Sequence, residues 1–475
     1  MYEIADNNSE FLTLRKILIG IFFFIQIFVL TFVAFEYYKI AIILSGAIFG
    51  TFLLYIFFNE PFFALPTLLL SILAGTIGDS QNGNQYASFA DILFPVLIGI
   101  YLIRILFSEK ENTSKFNFIK IFYTVFLVWA LFTVLVAVNK ILVIAYWRNY
   151  FGGFIVFLFG ITFIKNYIHV KIFIWTLIIW GIILAFIEFN IFLSLGDIQT
   201  ALVKIFFNKN LISISWGRSN YLAAFFVLII PITLGYLLSS KSKHIKSILT
   251  IALLIMFTAV IITLSRGGML SLGIALIIFI SRILKPKTFI PLIGLVILIT
   301  IILLLNPLTF ILIKGISSID SNLSTYTRLN FYEDVWRTFL MNPITGVGLA
   351  NLGYFSKFTV TTAAASAHNI ILGTLGETGI IGSVAFLGML TYAFILSYKN
   401  FRKEKIERIS LLLWSFFSAF AGVLIHSMME PNFEGFQFGV MFWATFATFL
   451  KLSELKNEEK LILVNGPTAL NKINQ

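Results

Sequence analysis

The chain has 475 residues, of which 59% are hydrophobic and 12% are charged, with 54 Phe and no Cys. Soluble domains carry about 25% charged residues, so this composition excludes a soluble protein and predicts one that lies in a lipid bilayer. The lack of Cys excludes disulfides and thiolate chemistry, and four His in the chain argue against a histidine-rich metal site. In a membrane protein, a net charge of +12 indicates basic cytoplasmic loops and not a nucleic-acid-binding surface.

Fourteen apolar stretches are candidates to cross the bilayer, which takes about 20 helical residues. They are residues 17–35, 39–58, 62–76, 91–107, 118–138, 150–165, 171–193, 221–239, 246–264, 268–284, 288–306, 378–398, 408–427 and 434–451. Arg15 and Lys16 precede the first stretch without a small-residue cleavage site, which indicates a first membrane helix and not a signal peptide. We therefore expect an all-α polytopic membrane protein, a single integral membrane domain over residues 1–475 with 12 to 14 membrane helices.

Basic residues are distributed among the predicted loops as positive-inside sorting requires. If the N-terminus is cytoplasmic, the lysine-rich loops are cytoplasmic, and they are residues 108–117, 166–170, 240–245, 285–287 and 399–407. Fourteen spans place both termini in the cytoplasm, in agreement with the Lys-rich segment after Leu450. The predicted exterior loops are residues 76–90, 139–149, 194–220, 265–267, 307–377 and 428–433.

Half of the ten arginines fall in these exterior loops, against the trend of positive-inside sorting. They are Arg148, Arg218, Arg266, Arg328 and Arg337. Because guanidinium groups bind phosphate bidentately, arginines on this side indicate an anion site. The alternative is that some of them pair with nearby acids, as Arg337 would with Glu333 or Asp334.

Two of these arginines stand beside the start of a predicted membrane helix. Arg266 lies in residues 264–268 (LSRGG), a hairpin too tight to reach far from the bilayer, where a charge is costly and usually functional. Arg218 precedes the eighth span, which Ser219 or Asn220 is expected to cap. A helix N-terminus beside an arginine forms an anion site. The alternatives are a snorkelling Arg266 and a helix at Arg218 that is merely capped.

The large exterior loop, residues 307–377, holds a predicted amphipathic helix and the best acid–base candidate. Apolar residues recur there at helical spacing before Asn342 and Pro343 end the helix; they are Leu329, Tyr332, Val335, Trp336, Phe339 and Leu340. Such a helix lies on the membrane or packs over the bundle. His368 stands just ahead of the twelfth span, and only it and His426 among the four histidines fall on the exterior side. We assign His368 acid–base chemistry, with a structural role as the alternative.

Three motifs, in this order and spacing, resemble those of the O-antigen ligase and O-antigen polymerase superfamily of bacterial envelope enzymes. They are residues 263–268 (TLSRGG), residues 342–348 (NPITGVG), and residues 367–369 (AHN) followed by residues 377–382 (ETGIIG). The entry to the eighth span at residues 217–220 (GRSN), with Pro231 inside that span, is similar as well. The resemblance covers roughly residues 215–385, and the earlier spans match only in hydropathy.

The resemblance implies a GT-C-like membrane glycosyltransferase of the cytoplasmic (inner) membrane. Such enzymes move a glycan from a polyprenyl (undecaprenyl) diphosphate carrier to a hydroxyl acceptor on the exterior face, without nucleotide, metal or other cofactor. The acceptor is a glycolipid, as in lipopolysaccharide, a glycan or a protein, and fourteen spans suit polymerases at least as well as ligases. In the ligases two arginines and one histidine carry the reaction, roles that map onto Arg218, Arg266 and His368. Further substrate contacts are expected from Arg328, Asn369, Glu377 and Arg148.

Two other classes of protein fit part of the pattern. A transporter or flippase of lipid-linked sugars would capture its anionic substrate with exterior arginines, but transporters place key polar residues near the bilayer midplane. A peptidoglycan-type polymerase shares the lipid diphosphate donor but is expected to depend on an acidic residue. An assay of glycan transfer by His368→Ala separates the three classes.

Overall fold

The computed structural model describes residues 50–73, 89–107, 116–208, 211–214, 217–284, 321–355 and 367–465. The predicted spans 17–35 and 288–306 lie outside these residues. Nearly all of the described chain is helical. A short antiparallel hairpin joins β1 (Ser213–Ile214) to β2 (Gly217–Arg218), with Ser213 opposite Arg218.

The described helices are numbered in chain order. They are α1 (Gly50–Asn59), α2 (Ala64–Leu73), α3 (Phe89–Phe107), α4 (Asn117–Phe132), α5 (Lys140–Phe163), α6 (Tyr167–Ser194), α7 (Ile198–Phe207), α8 (Ser219–Ser239), α9 (Lys243–Ile262), α10 (Arg266–Ile283), α11 (Ser321–Met341), α12 (Ile370–Lys403), α13 (Glu407–His426), α14 (Phe436–Glu454) and α15 (Asn457–Asn465). Short polar residues set several of the starts: Asn139, Asn166 and Ser242 each accept a backbone hydrogen bond as the N-cap of α5, α6 and α9.

Eight helices in the described part of the chain are long and apolar enough to cross a membrane. They are α4 with the turn that follows it, α5, α6, α8, α9, α10, α12 and α13. Each corresponds to a predicted span, which confirms an all-α, multi-pass membrane protein. α2 corresponds to the third predicted span and is a shorter apolar helix, the apolar stretch Leu93–Leu106 of α3 corresponds to the fourth, and α14 corresponds to the fourteenth. The count of fourteen spans stays a prediction.

Two predicted boundaries are wrong. Residues 139–149 were expected to form an exterior loop, but α5 begins at Lys140. Polar groups in its first turns form hydrogen bonds inside the bundle. For example, Nε1 of Trp147 donates to the carbonyl of Leu127 at 2.8 Å. The other boundary is at α12, which begins at Ile370 and bends at Gly379. The apolar pattern alone gave residue 378 because the first turns of this helix are rich in Gly and Thr.

The predicted helix in the large loop is confirmed as α11. It packs over the start of α12 through Phe331 and Val335, which are buried in a small cluster with Val347, Leu352 and Ala367. Trp336 and Leu340 on the other side of the helix are exposed. This helix therefore packs on the bundle through one side, and its other side is exposed.

The helices place their connections at two opposite faces of the bundle. We call the end at which α8, α10 and α12 begin the site face, defined by Ser219, Arg266 and Ile370. At the other end, Arg408 Nη1 donates to the carbonyl of Ser239 at 3.2 Å. Basic residues concentrate at that opposite end: Lys165, Lys171, Lys241, Lys243, Lys246, Lys399, Arg402, Lys403, Lys405 and Arg408. The fold thus separates the basic connections from the site face.

This separation predicts the orientation of the chain in the membrane. We expect reporter domains fused after Lys243 and after Lys403 to give a cytoplasmic signal, because lysine-rich connections are retained there. Reporters fused near Gln81 and Ser318, both outside the described residues, are expected to give an exterior signal. Alkaline phosphatase and green fluorescent protein fusions measure this directly. A cytoplasmic signal near Ser318 would put the site face on the wrong side of the membrane.

Candidate functional site

Three helix N-termini meet at the site face, and each carries one of the predicted catalytic residues. Arg218 is the N-cap of α8, Arg266 is the first residue of α10, and His368 lies two residues before α12. The positive end of each helix dipole therefore lies at this face, where it favours a bound anion.

Arg218 leaves β2 and enters α8 with an extended backbone (φ −93°, ψ 166°) and an exposed side chain. The prediction that Ser219 or Asn220 caps this helix is wrong, because the N-cap is Arg218 and makes no side-chain cap hydrogen bond. Ser219 is buried instead. Asn220 turns its amide across the site, where Nδ2 donates to Oε1 of Glu430 at 2.7 Å.

Arg266 lies in the tight hairpin that the sequence predicts. Ser265 caps α10 by accepting a hydrogen bond from the backbone N–H of Gly268 at 3.1 Å, and Leu264 adopts a left-handed φ of 47° to make the turn. A Cβ at Gly268 would lie only 2.5 Å from the Cβ of Ala223 in α8. This glycine therefore lets the N-termini of α8 and α10 pack side by side, with the exposed Arg266 beside the start of α8.

His368 is held in a constrained turn before α12. Its φ is 49°, a conformation that costs a non-glycine residue about 1–3 kcal/mol and is concentrated at functional sites. Its side chain is 40% exposed, and Nδ1 lies 3.2 Å from Oε2 of Glu430. Asn369, a predicted substrate contact, caps α12 by accepting hydrogen bonds from the backbone of Ile371 and Leu372. The amide of Ile370 donates to the carbonyl of Ser427 at 2.9 Å.

Glu430 is the residue that the sequence reasoning missed. It lies in the turn that follows α13, residues 427–431, which we call the Glu430 turn. Its carboxylate is 10% exposed and joins His368 to Asn220 through separate oxygens. The same turn reaches the first motif, because a Cβ at Gly267, next to Arg266, would lie 3.5 Å from Sδ of Met429. The only sequence signal was a carboxylate in a short predicted exterior loop.

His426, the other histidine predicted on the exterior side, is buried and supports this turn. Its Nδ1 lies 2.9 Å from Nδ2 of Asn432, and its carbonyl accepts hydrogen bonds from the amides of Met429 and Glu430. Substitution of His426 is therefore expected to disturb the position of Glu430, and His426 is unsuitable as a neutral control.

Backbone hydrogen bonds join the second motif, residues 342–348, to α12 at the start of residues 377–382. The amide of Val347 donates to the carbonyl of Gly376 at 3.0 Å, and that of Gly348 to the carbonyl of Glu377 at 2.8 Å. The carboxylate of Glu377 is buried and accepts a hydrogen bond from the backbone of Ala350. In this structure Glu377 holds the loop over the bend of α12, and its contact with substrate stays a prediction.

Behind Asn369 lies a partly open cavity of about 20 Å³, lined in part by Tyr150, Glu377 and Glu434. A space of this size accommodates about one water molecule and is far too small for a sugar. The exposed side chains of Arg218 and Arg266 therefore mark the accessible part of the site.

The bend at Gly379 gives a stability prediction. Gly379 has a φ of 63°, and an added Cβ would lie 2.1 Å from the carbonyl oxygen of Ile344. Gly379→Ala should destabilise the fold by at least about 1–2 kcal/mol, because an L side chain disfavours this conformation and the clash is with backbone. Thermal unfolding of the detergent-solubilised protein measures the effect. Gly273→Ala is the matched control, since nothing lies within 4 Å of its added Cβ; equal melting temperatures would contradict the interpretation.

The remaining predicted arginines have other surroundings. Arg148 is exposed on α5, and its Nη1 lies 4.0 Å from a carboxylate oxygen of Asp91 in α3. Arg337 forms an ion pair with Glu333 at 2.5 Å, as the alternative predicted. Arg328 lies in α11, and its side chain is outside the part of the structure described.

Comparison with known proteins supports the assignment of the motifs. No curated protein matches the chain. The family model described as O-antigen ligase matches residues 251–387, a region that includes Arg266, the loop over α12 and His368. Arg218 and Glu430 lie outside the matched residues. Residues 251–387 of this multi-pass membrane protein therefore match an O-antigen ligase domain, in support of the resemblance to the O-antigen ligase and polymerase superfamily.

Proposed function

We propose that the protein is a membrane glycosyltransferase that transfers or polymerises a glycan from a polyprenyl diphosphate carrier onto a hydroxyl acceptor. The observation that carries the proposal is the convergence of two exposed arginines and a histidine at three adjacent helix N-termini. The match to the O-antigen ligase family supports an enzyme of ligase or polymerase type.

The two arginines are assigned to the donor diphosphate. Charge accumulates on the diphosphate as the bond to the sugar breaks, and fixed positive groups stabilise it most at that stage. Arg218 and Arg266 remain protonated and present paired N–H donors to phosphate oxygens. The helix N-termini beside them add backbone dipoles of the same sign. We therefore place the diphosphate between Arg218 and Arg266, with no need for a nucleotide or a metal.

His368 is assigned to the acceptor. Its neutral imidazole accepts the proton of the acceptor hydroxyl while the hydroxyl oxygen forms the new bond to the anomeric carbon. The bond from that carbon to the diphosphate oxygen breaks, and the leaving group keeps the electron pair. Attack on the face opposite the leaving group inverts the anomeric centre. The half-exposed position of His368 leaves its ring accessible to such an acceptor.

The separation of the two faces of the bundle supports a proposal for where the reaction takes place. We place the basic connections in the cytoplasm and the site face at the exterior surface of the inner membrane. A donor carried on undecaprenyl diphosphate would reach the site from the bilayer. The product would then be an envelope polysaccharide, attached to a glycolipid such as lipopolysaccharide, to a growing glycan or to protein.

Purified protein in proteoliposomes tests the proposal. A synthetic polyprenyl-diphosphate-linked oligosaccharide and a hydroxyl acceptor should yield free polyprenyl diphosphate together with the glycosylated acceptor. Movement of intact donor across the bilayer would instead support the transporter alternative. Deletion in the native host separates the two enzyme types: without a polymerase, single repeat units remain on the acceptor, and without a ligase the acceptor carries none.

A further inference from the structure

We infer that Glu430 is a positioning residue: it holds His368 with the proton on Nδ1, so that Nε2 is the nitrogen that accepts the acceptor's proton. This inference rests on the proposed function. The two oxygens of the carboxylate have separate partners, Oε1 at 2.7 Å from Nδ2 of Asn220 and Oε2 at 3.2 Å from Nδ1 of His368.

The carboxylate determines which nitrogen of the His368 ring carries the proton. An ionised carboxylate only accepts hydrogen bonds, so Nδ1 of a neutral His368 must carry the proton that faces it. The lone pair of the ring is then on Nε2. When Nε2 takes the proton of the acceptor, the carboxylate lies beside the new positive charge and stabilises it. Glu430 is about nine-tenths buried, so its carboxylate is held away from bulk solvent while the ring of His368 is 40% exposed.

The backbone around the pair keeps the two side chains in place. The turn at His368 is fixed on one side by the hydrogen bond from Ile370 to Ser427, and Asn369 caps α12. On the other side, the amide of Glu430 donates to the carbonyl of His426 at 2.9 Å. The ring of His368 and the carboxylate therefore approach each other from two anchored segments.

The second oxygen links the base to the donor site. Asn220 follows Arg218 by two residues at the start of α8, and its amide binds the carboxylate that orients His368. Glu430 therefore sets the spacing between the proposed base and one of the two diphosphate-binding arginines. A shift of about 1 Å in such a spacing is enough to lower the rate of a transfer reaction strongly.

Glu430→Gln tests the inference in the proteoliposome assay. The amide of the variant presents either its oxygen or its NH₂ group to His368. If the NH₂ group faces Nδ1, Nδ1 must accept a hydrogen bond and the ring proton moves to Nε2. Nε2 then has no lone pair with which to take the proton of the acceptor. Neither orientation supplies the negative charge. We expect kcat to fall about 10²- to 10⁴-fold, with the KM for the donor nearly unchanged. Glu333→Gln, the same change on the exposed surface of α11, is the control and should keep the wild-type rate.

A double variant separates orientation from a general loss of structure. When Asn220→Asp is added to Glu430→Gln, the carboxylate at position 220 can only accept hydrogen bonds. The NH₂ group of the amide at position 430 therefore donates to it. The oxygen of that amide then faces His368 and accepts a hydrogen bond from Nδ1, so the ring proton is again on Nδ1. The double variant should therefore be more active than Glu430→Gln alone. A wild-type rate in Glu430→Gln, or a double variant no better than the single one, would overturn the inference.

Nitrogen-15 NMR of labelled histidine provides a measurement that does not depend on activity. The signals of His368, identified by their loss in His368→Ala, should show a protonated Nδ1 in the wild type at a pH where the ring is neutral. Glu430→Gln should shift the proton toward Nε2, and the double variant should return it. A neutral ring protonated at Nε2 in the wild type would refute the inference. This outcome would leave the proposed function intact if the wild type transfers glycan and Arg266 is required for transfer. If no variant or wild-type sample transfers glycan, the proposed function fails instead.

Discussion

His368→Ala is expected to lower the rate of glycan transfer about 10²- to 10⁴-fold, the usual contribution of a general base, while the donor still binds. The physical reason is the division of labour at the site face. The histidine lies with its ring between the open face and Glu430, whereas the donor diphosphate is assigned to Arg218 and Arg266. Removing the ring deletes the proposed base and leaves the two arginines in place.

The measurement pairs a transfer assay with direct binding of the polyprenyl-linked donor to the same preparation. His244→Ala is the control, because His244 is exposed near the start of α9 at the opposite end of the bundle. His368→Ala with a near-normal rate would exclude the histidine as the base. A loss of donor binding as strong as that of Arg218→Ala would place the histidine in the anion site instead.

Arg266→Lys is expected to lower the rate about 10²- to 10³-fold, the size of effect that follows loss of one donor to a developing negative charge. Lysine keeps the positive charge but has no planar fork of N–H groups, so it cannot bind two phosphate oxygens in the same plane. Arg266 is the first residue of α10, where the packing of Gly268 on Ala223 fixes its distance from α8. A flexible ammonium group would not restore that geometry.

The same substitution elsewhere on α10 is the control. Arg282 lies in the last turn of this helix, at the opposite face, with its guanidinium 5.4 Å from the ring centre of Phe401. Arg282→Lys should keep the wild-type turnover, because it removes at most part of a cation–π contact. Wild-type turnover in Arg266→Lys, with normal expression, would rule out bidentate binding of the diphosphate.

Features that depend on local pattern could be predicted from the sequence. Continuous apolar runs gave the eight described membrane helices, and helical spacing before Pro343 gave α11. The spacing of the Ser-Arg-Gly-Gly hairpin predicted a tight turn with Arg266 at a helix start, and the structure has one. These features are determined by residues close together in the chain, so their hydropathy and turn chemistry are sufficient.

The start of α5 could not be predicted, because the pattern there conflicts with the packing. Arg148 and Asn149 interrupt the apolar run, and such residues usually mark a loop. In the fold, Nδ2 of Asn149 donates to the carbonyl of Glu434 at 2.8 Å, so the amide N–H group has a partner inside the bundle. A partner 285 residues away along the chain leaves no trace in the local pattern.

The sequence by itself determined that this is a multi-pass membrane protein with arginines and a histidine in its polar connections. Only the tertiary structure decided how those residues combine. Glu430 is 62 residues from His368 and 210 residues from Asn220 in the chain, yet one carboxylate contacts both. The tertiary structure also placed Glu377 in the interior, where its carboxylate accepts a hydrogen bond from the backbone of Ala350. The reason is physical: hydropathy and helix periodicity report whether a residue faces lipid, core or water, whereas the partner of a buried polar group is set by the packing of distant helices.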